Sequence, residues 1–358
     1  MTVQPLLNES AVESFAAEML SHLTGASVTL MTSVGHRTGL FDTLTGLPPS
    51  TSEEIAAAAR LNERYVREWL SAMVTAGVVR YDAENETFRL PAEHAAILTR
   101  AAGADNIATF AGMLSGIAIV EEELIECFRK GGGVPYSAFP RFHELMAEVG
   151  DPSRARAITE LPAMAPGIVE KLQRGIDVLD IGCGRGFASL ELARRYPRSR
   201  FVGYDFSPEA IGYGNARAAD LGLLNVSFEV RDIAKLDEQA RYDWITSFDA
   251  IHDQADPEAV VRNIFRALKP GGDYLMMEPA ASSHLHRNIG EPMATLFYTI
   301  SCFHCMTVSL SQGGKGLGTV WGKEAALELL DDTGFTDVRV ETVPGDLESA
   351  YFFAKKTR

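Results

Sequence analysis

Nine residues, 178–186 (VLDIGCGRG), constrain the fold of this 358-residue chain more than any others. Apolar residues lead into Asp180-Ile181, and glycines follow at 182, 184 and 186. Residues 187–195 then read as a helix. A strand that ends in such a loop and opens on a helix is the first half of a βαβ unit. Glycines let the backbone turn tightly and approach a ligand closely. A dinucleotide-binding loop would put its third glycine at Phe187, one residue later than Gly186. A Walker A loop would end in Gly-Lys-Ser/Thr, which is absent here.

The alternation continues to the C-terminus. Strands are expected at 176–181, 200–204, 226–230, 244–248, 273–278, 338–342 and 351–354, with helical patterns in most of the gaps. The clearest helix spans 256–268, with an acidic start and Val260, Val261, Ile264 and Leu268 on one face. Lys269-Pro270-Gly271-Gly272 reads as its stop. This pattern implies an α/β fold around a largely parallel sheet. In such sheets ligands bind at the C-terminal ends of the strands. Three acids fall there: Asp180, then Asp205 after the second strand, then Asp232 after the third. A carboxylate at Asp205 can accept hydrogen bonds from two ribose hydroxyls. Ser207-Pro208 starts the next helix.

The DxGCGxG loop, Asp205, Asp232 and the LKPGG turn before the fifth strand together resemble class I methyltransferases. The resemblance is close over about residues 170–280 and looser to the C-terminus. It implies a Rossmann-like, seven-stranded, mostly parallel sheet and S-adenosylmethionine as cofactor, leaving S-adenosylhomocysteine. By that match Asp180 and Gly182, Gly184 and Gly186 cradle the methionine part. Asp205 holds the ribose, Asp232 and Ile233 lie by the adenine, and Phe206 and Phe248 belong to the same cofactor set.

After the fourth strand, Ile251-His252-Asp253-Gln254-Ala255-Asp256 resembles the [IL]-H-D-W-[SD]-D segment of small-molecule O-methyltransferases of the caffeic-acid type. The resemblance implies His252 as general base and Glu278 as the acid that orients it. Gln254 stands where that segment has Trp, so an aromatic wall is altered. Methyl transfer needs little more than a positioned nucleophile and a base, and an imidazole near pKa 6.5 serves at neutral pH. His252 could otherwise line the pocket without acting as base, or only cap a turn.

Residues 280–322 form a long insertion, the usual place for a lid or substrate wall. Its polar and aromatic residues, Tyr298 and His304 among them, together with Asp253, are candidates for the acceptor site. The segment HCMTVSLSQGGKGLGTVWG also resembles an actinobacterial group of two-domain methyltransferases without an assigned substrate. Cys302, His304 and Cys305 suggest a metal only weakly. Three ligands within four residues converge poorly on one tetrahedral ion, and no second cluster follows, so no metal is expected. Pocket lining or core packing are the other readings.

Residues 10–100 alternate helical segments with a strand–turn–strand at 78–91, in the order of a winged helix. In the methyltransferases that the chain resembles, such a domain dimerises and helps close the active site. The expected organisation is thus a winged-helix dimerisation domain at 1–100, a helical connector at 101–170 and a methyltransferase domain at 171–358. The partners expected are a small-molecule acceptor and a second copy of the chain. Arg60, Arg64, Arg67 and Arg80 could touch phosphates, but Glu53, Glu54, Glu63, Glu68, Asp82, Glu84 and Glu86 surround them. The whole chain carries a net charge of −15, which disfavours nucleic acid and anionic membranes. The first residues show neither the basic region nor the apolar core of a signal peptide, and four scattered cysteines suit a reducing compartment. A cytoplasmic location is expected.

Overall fold

The computed structural model describes residues 7–343, 346 and 348–357, with the side chains of 151–156 excepted. The chain divides into two compact units, residues 1–115 and 116–358. The helical stretch 101–170 is shared between them.

The first unit opens with a 30-residue helix, Glu9–Thr38, capped by the Asn8 side chain on Ala11 N. Helix Ser52–Ala59 begins on a capping box in which Thr51 and Glu54 satisfy each other's backbone N–H. Helix Glu63–Thr75 buries Val66, Trp69, Leu70 and Met73. Trp69 stacks edge-on to Phe41 at 5.2 Å, and its indole N–H donates to Met31 O at 2.8 Å. The buried indole therefore keeps its one polar group satisfied. A short antiparallel wing follows, β1 (Arg80–Asp82) and β2 (Thr87–Arg89). Asp82 closes its turn by accepting from Glu84 N and Asn85 Nδ2. Arg67 pairs with Glu63 at 3.2 Å and Arg64 pairs with Glu68, so both cations are matched by their own helix.

The second unit is built on seven strands: β3 (Asp177–Ile181), β4 (Arg200–Asp205), β5 (Val226–Val230), β6 (Tyr242–Phe248), β7 (Leu268–Pro279), β8 (Thr336–Glu341) and β9 (Ser349–Lys355). Their order is β5-β4-β3-β6-β7-β9-β8, and only β9 runs against its neighbours. This is the seven-stranded, mostly parallel sheet expected from the sequence. Consecutive residues of β3 feed opposite faces: Leu179 and Ile181 pack with Val260, Ile264 and Phe352, while Val178 packs with Leu192, Trp244 and Tyr351. A sheet covered on both faces needs such continuous apolar strands.

The helix Pro257–Ala267 ends before Lys269-Pro270-Gly271-Gly272, as expected, but those four residues also belong to β7, which begins at Leu268 rather than at 273. Gly271 takes φ 78°, and the β6–β7 register shifts between Tyr242 and Trp244, so the strand absorbs the turn residues as an irregularity. The insertion is largely helical: Leu285–Asn288, Ala294–Ile300, a π-helical turn at Ser301–Cys305 and Met306–Ser311. By length and composition the run Ala294–Ser311 could cross a membrane, with mean hydropathy 1.2. Its polar buried groups are tied within the unit. Thr307 Oγ1 accepts from Val134 N at 2.8 Å, and Ser309 Oγ donates to Gln254 O at 2.9 Å.

Candidate active site

Because β3, β4, β5 and β6 are parallel neighbours, their C-terminal ends share one edge. The glycine loop turns there. Gly182 has φ 64°, and a Cβ on it would lie 2.5 Å from the Ala250 Cβ. Gly186 has φ 81°, and a Cβ would lie 2.3 Å from the Phe228 ring. Both positions thus need glycine for conformation and for space. A cavity of about 100 Å³ is lined by Asp180, Gly182, Gly184, Phe187, Phe248 and, from the helix Phe142–Met164, His143. Drug-sized ligands fill several times that volume, so this cavity fits one end of a cofactor.

Asp180 is buried, and its carboxyl accepts from Ser189 Oγ and Thr246 Oγ1, each at 3.0 Å. Burial pushes its pKa up to about 7 against those two hydrogen bonds. Asp205 accepts from Gly184 N on one oxygen and Ser207 N on the other, both at 2.9 Å. Each oxygen keeps a further lone pair for a ligand hydroxyl. Phe206 is half exposed, with its ring edge-on to Tyr136 at 4.9 Å. Asp232 caps a short 3₁₀ turn through Ala234 N and pairs with Lys235 at 2.7 Å. Ile233 packs into the core, and its carbonyl accepts from Asn263 Nδ2 at 3.1 Å and from Leu236 N.

Beyond β6 the chain takes an uncommon conformation, Asp249 at φ 50°, which turns Ile251 and His252 back toward β7. Ile251 N donates to Glu278 Oε1 at 3.0 Å. His252 Nδ1 meets Glu278 Oε2 at 2.5 Å, and Trp321 Nε1 donates to that same oxygen at 3.1 Å. His252 and Glu278 are 3% and 1% exposed, so the pair is shut off from bulk solvent. Burial works to lower the imidazole pKa, but Glu278 and the hydrogen-bonded Cys305 outweigh it and hold it well above the ordinary 6.5. Burial also pushes Asp253 up to about 7.

The other expected acceptor residues are placed unequally. His304 lies fully buried in the π-helical turn, beside Cys305. Tyr298 is 39% exposed, and its hydroxyl accepts from Asn288 Nδ2 at 3.2 Å. Sequence reasoning missed His143, Tyr136, Phe139 and Phe142. Their signal was present as the aromatic density of YSAFPRFH after Gly131-Gly132-Gly133. It also missed Trp321, whose indole N–H shares Glu278 Oε2 with His252. Among the described residues no group of three His, Cys, Asp or Glu side chains could hold a metal ion.

Comparison with known proteins agrees with this geometry. The Rv2258c-like winged HTH domain family matches residues 26–100, and a methyltransferase domain family matches 172–334. The ubiquinone biosynthesis O-methyltransferase of Coxiella burnetii is 28% identical over 166 residues, 45% of this chain and 67% of that protein. The 2-heptyl-1-hydroxyquinolin-4(1H)-one methyltransferase of Mycobacteroides abscessus is 34% identical over 118 residues, 31% of this chain and 51% of that protein. Human N-acetylserotonin methyltransferase, solved with S-adenosylmethionine, superposes with a TM-score of 0.72 at 18% identity, over 96% of this chain and 98% of that one. The fold, the glycine loop and the domain match define an S-adenosylmethionine-dependent methyltransferase. Within that class, the chain is of the two-domain kind that carries an N-terminal winged helix-turn-helix domain.

Proposed function

We propose that this enzyme transfers the methyl group of S-adenosylmethionine to an oxygen of a small, partly apolar acceptor, with His252 as general base and Glu278 as its positioning residue. The buried 2.5 Å contact between His252 Nδ1 and Glu278 Oε2 carries this reading. It fixes the ring through Nδ1, so Nε2, the nitrogen not held by the carboxylate, is the one to take a proton. The names of both curated relatives, one an O-methyltransferase and one acting on a hydroxyquinolinone, favour an oxygen acceptor. When bound, the cofactor supplies a methyl carbon already activated by sulfonium charge.

This chain's residues do the rest. Asp180, Gly182, Gly184 and Gly186 hold the methionine part, where a cationic amino group beside Asp180 would favour its ionised form. Asp205 holds the ribose with Phe206 beside it, Asp232 and Ile233 border the adenine, and Phe248 closes the cavity. Asp253, Tyr298 and His304 face the acceptor from the lid-like insertion 280–322 and the loop before it. The reading is tested by incubating the enzyme with S-adenosylmethionine and a panel of phenols, carboxylic acids, amines and thiols. O-methylated products are expected in the mass spectrum, and transfer only to nitrogen or sulfur overturns the oxygen assignment.

The pH dependence has a definite sign. The base must be unprotonated, and Glu278 and Cys305 keep the proton on His252 to a pH above 6.5. We expect kcat/KM to climb with pH through a point above 6.5. Glu278→Gln should move that point down. A profile that falls over this range contradicts the assignment. The same bound proton stabilises the fold, fully below pH 6.5 and progressively less as pH rises through the folded-state value.

A homodimer through the N-terminal domain belongs to the same proposal. Val12, Phe15, Met19, Leu23, Leu30 and Val34 are all exposed on the helix Glu9–Thr38. Their spacing puts them on one stripe, which suits packing against another helix. Phe15→Glu with Leu23→Glu should convert a dimer into a monomer by light scattering. A wild type already monomeric at micromolar concentration contradicts this part.

A further inference from the structure

His304 is fully buried, yet neither of its ring nitrogens has a hydrogen-bond partner. Its ring lies flat on Phe142, with centroids 3.5 Å apart and planes 5° from parallel. The edges of Phe139 and Tyr136 close on it at 4.6 and 5.5 Å. A buried polar side chain normally finds partners, and one left without them weakens the fold. Burial, reinforced by His252 and His143, holds its pKa down at about 3, so the ring is neutral at any working pH. A neutral imidazole offers one N–H donor and one acceptor, and both are unused here.

The surroundings say where the missing partner belongs. His304 sits in the π-helical turn Ser301–Cys305, and such turns concentrate at functional sites. Its neighbour Cys305 hydrogen bonds to His252. On the other side, Tyr136 shares a hydrogen bond of 3.1 Å with His143, which lines the cofactor cavity. Tyr136 also packs on Phe206, the residue after Asp205. The aromatic group of Tyr136, Phe139, Phe142 and His304 thus lies between the cofactor loop and the base.

Resting on the methyl-transfer reading above, we infer that His304 is a specificity-determining residue of the acceptor site. It hydrogen bonds, as a neutral ring, to an uncharged polar atom of a flat aromatic acceptor, for which the closed-up rings of Tyr136, Phe139 and Phe142 must part. That atom lies apart from the oxygen that takes the methyl. Acceptors without it leave the imidazole unpartnered and are discriminated against.

The test uses 1-naphthol and 5-hydroxyquinoline, two flat phenols of the same shape that differ by one ring nitrogen. Both are titrated into the full-length protein saturated with S-adenosylhomocysteine, as wild type and as His304→Phe. Wild type should bind the hydroxyquinoline more tightly, and His304→Phe should shift the ratio of the two dissociation constants at least fivefold toward the naphthol. His304→Phe should also melt no lower than wild type, because an apolar ring replaces an unsatisfied one. An unchanged ratio, a wild type that binds neither phenol, or a clear fall in melting temperature each overturns the inference. Titration with S-adenosylhomocysteine alone separates these outcomes from failure of the cofactor reading, since His304→Phe should leave that affinity unchanged.

Discussion

His252→Gln should lower kcat by about 10²–10⁴, the usual worth of a positioned general base, while S-adenosylhomocysteine binds within about threefold of wild type, since fewer than 1 kcal/mol of cofactor contact is at stake. Glutamine is the informative substitution because its amide N–H can still donate to Glu278. His252→Ala instead leaves Glu278 buried with only Ile251 N and Trp321 Nε1 as partners. Stranding one member of a buried pair commonly costs about 3–5 kcal/mol of stability. A rate lost in the alanine variant alone would therefore mix folding with chemistry. The measurement is steady-state release of S-adenosylhomocysteine with the best acceptor of the panel, alongside thermal melts. A glutamine variant that keeps kcat within fivefold would leave His252 as a pocket wall, not a base.

Asp205→Ala should weaken S-adenosylhomocysteine binding by about 100-fold or more in calorimetric titration. The estimate follows from what the carboxylate holds. It fixes Gly184 N and Ser207 N, one in the glycine loop and one at the cap of the next helix. A hydrogen bond to a charged group is worth about 1.5–3 kcal/mol, and two such bonds plus the ribose contacts exceed a factor of 100. Asp205→Asn should lose less, because an amide oxygen can still accept from one N–H. Equal binding by wild type and Asp205→Ala would remove the residue from the cofactor site and place its role in the loop alone.

The sheet was readable from sequence for a physical reason. Its strands are buried on both faces, so 178–181, 244–248 and 351–354 appear as mostly apolar runs, interrupted by Asp180, Thr246 and Ser247, and the Gly-rich turns between elements punctuate them. The pairing of His252 with Glu278 was reachable only through the resemblance, since 26 residues separate the two and no local pattern links them. The sequence alone does not delimit the long helix Glu9–Thr38, although Val12, Phe15, Met19, Leu23, Leu30 and Val34 recur at helical spacing along it. Lys269-Pro270-Gly271-Gly272 reads as punctuation in any single sequence. Only the neighbouring strand, which takes up the register shift, turns it into strand. The aromatic cluster around His304 was hidden for another reason. It joins the 136–143 segment to a π-helical turn more than 150 residues later, and long-range contacts of that kind leave no periodicity to read.

The central claim, a methyl-transfer site formed by the glycine loop and the His252–Glu278 pair, is tested most directly by a crystal structure with S-adenosylhomocysteine bound. The expected result has the amino-acid end of the ligand in the cavity of Asp180, Gly182 and Gly184, the ribose on Asp205, and the sulfur facing Nε2 of His252. A ligand seated elsewhere, or one whose sulfur points away from His252, would contradict the assignment of that histidine as the base.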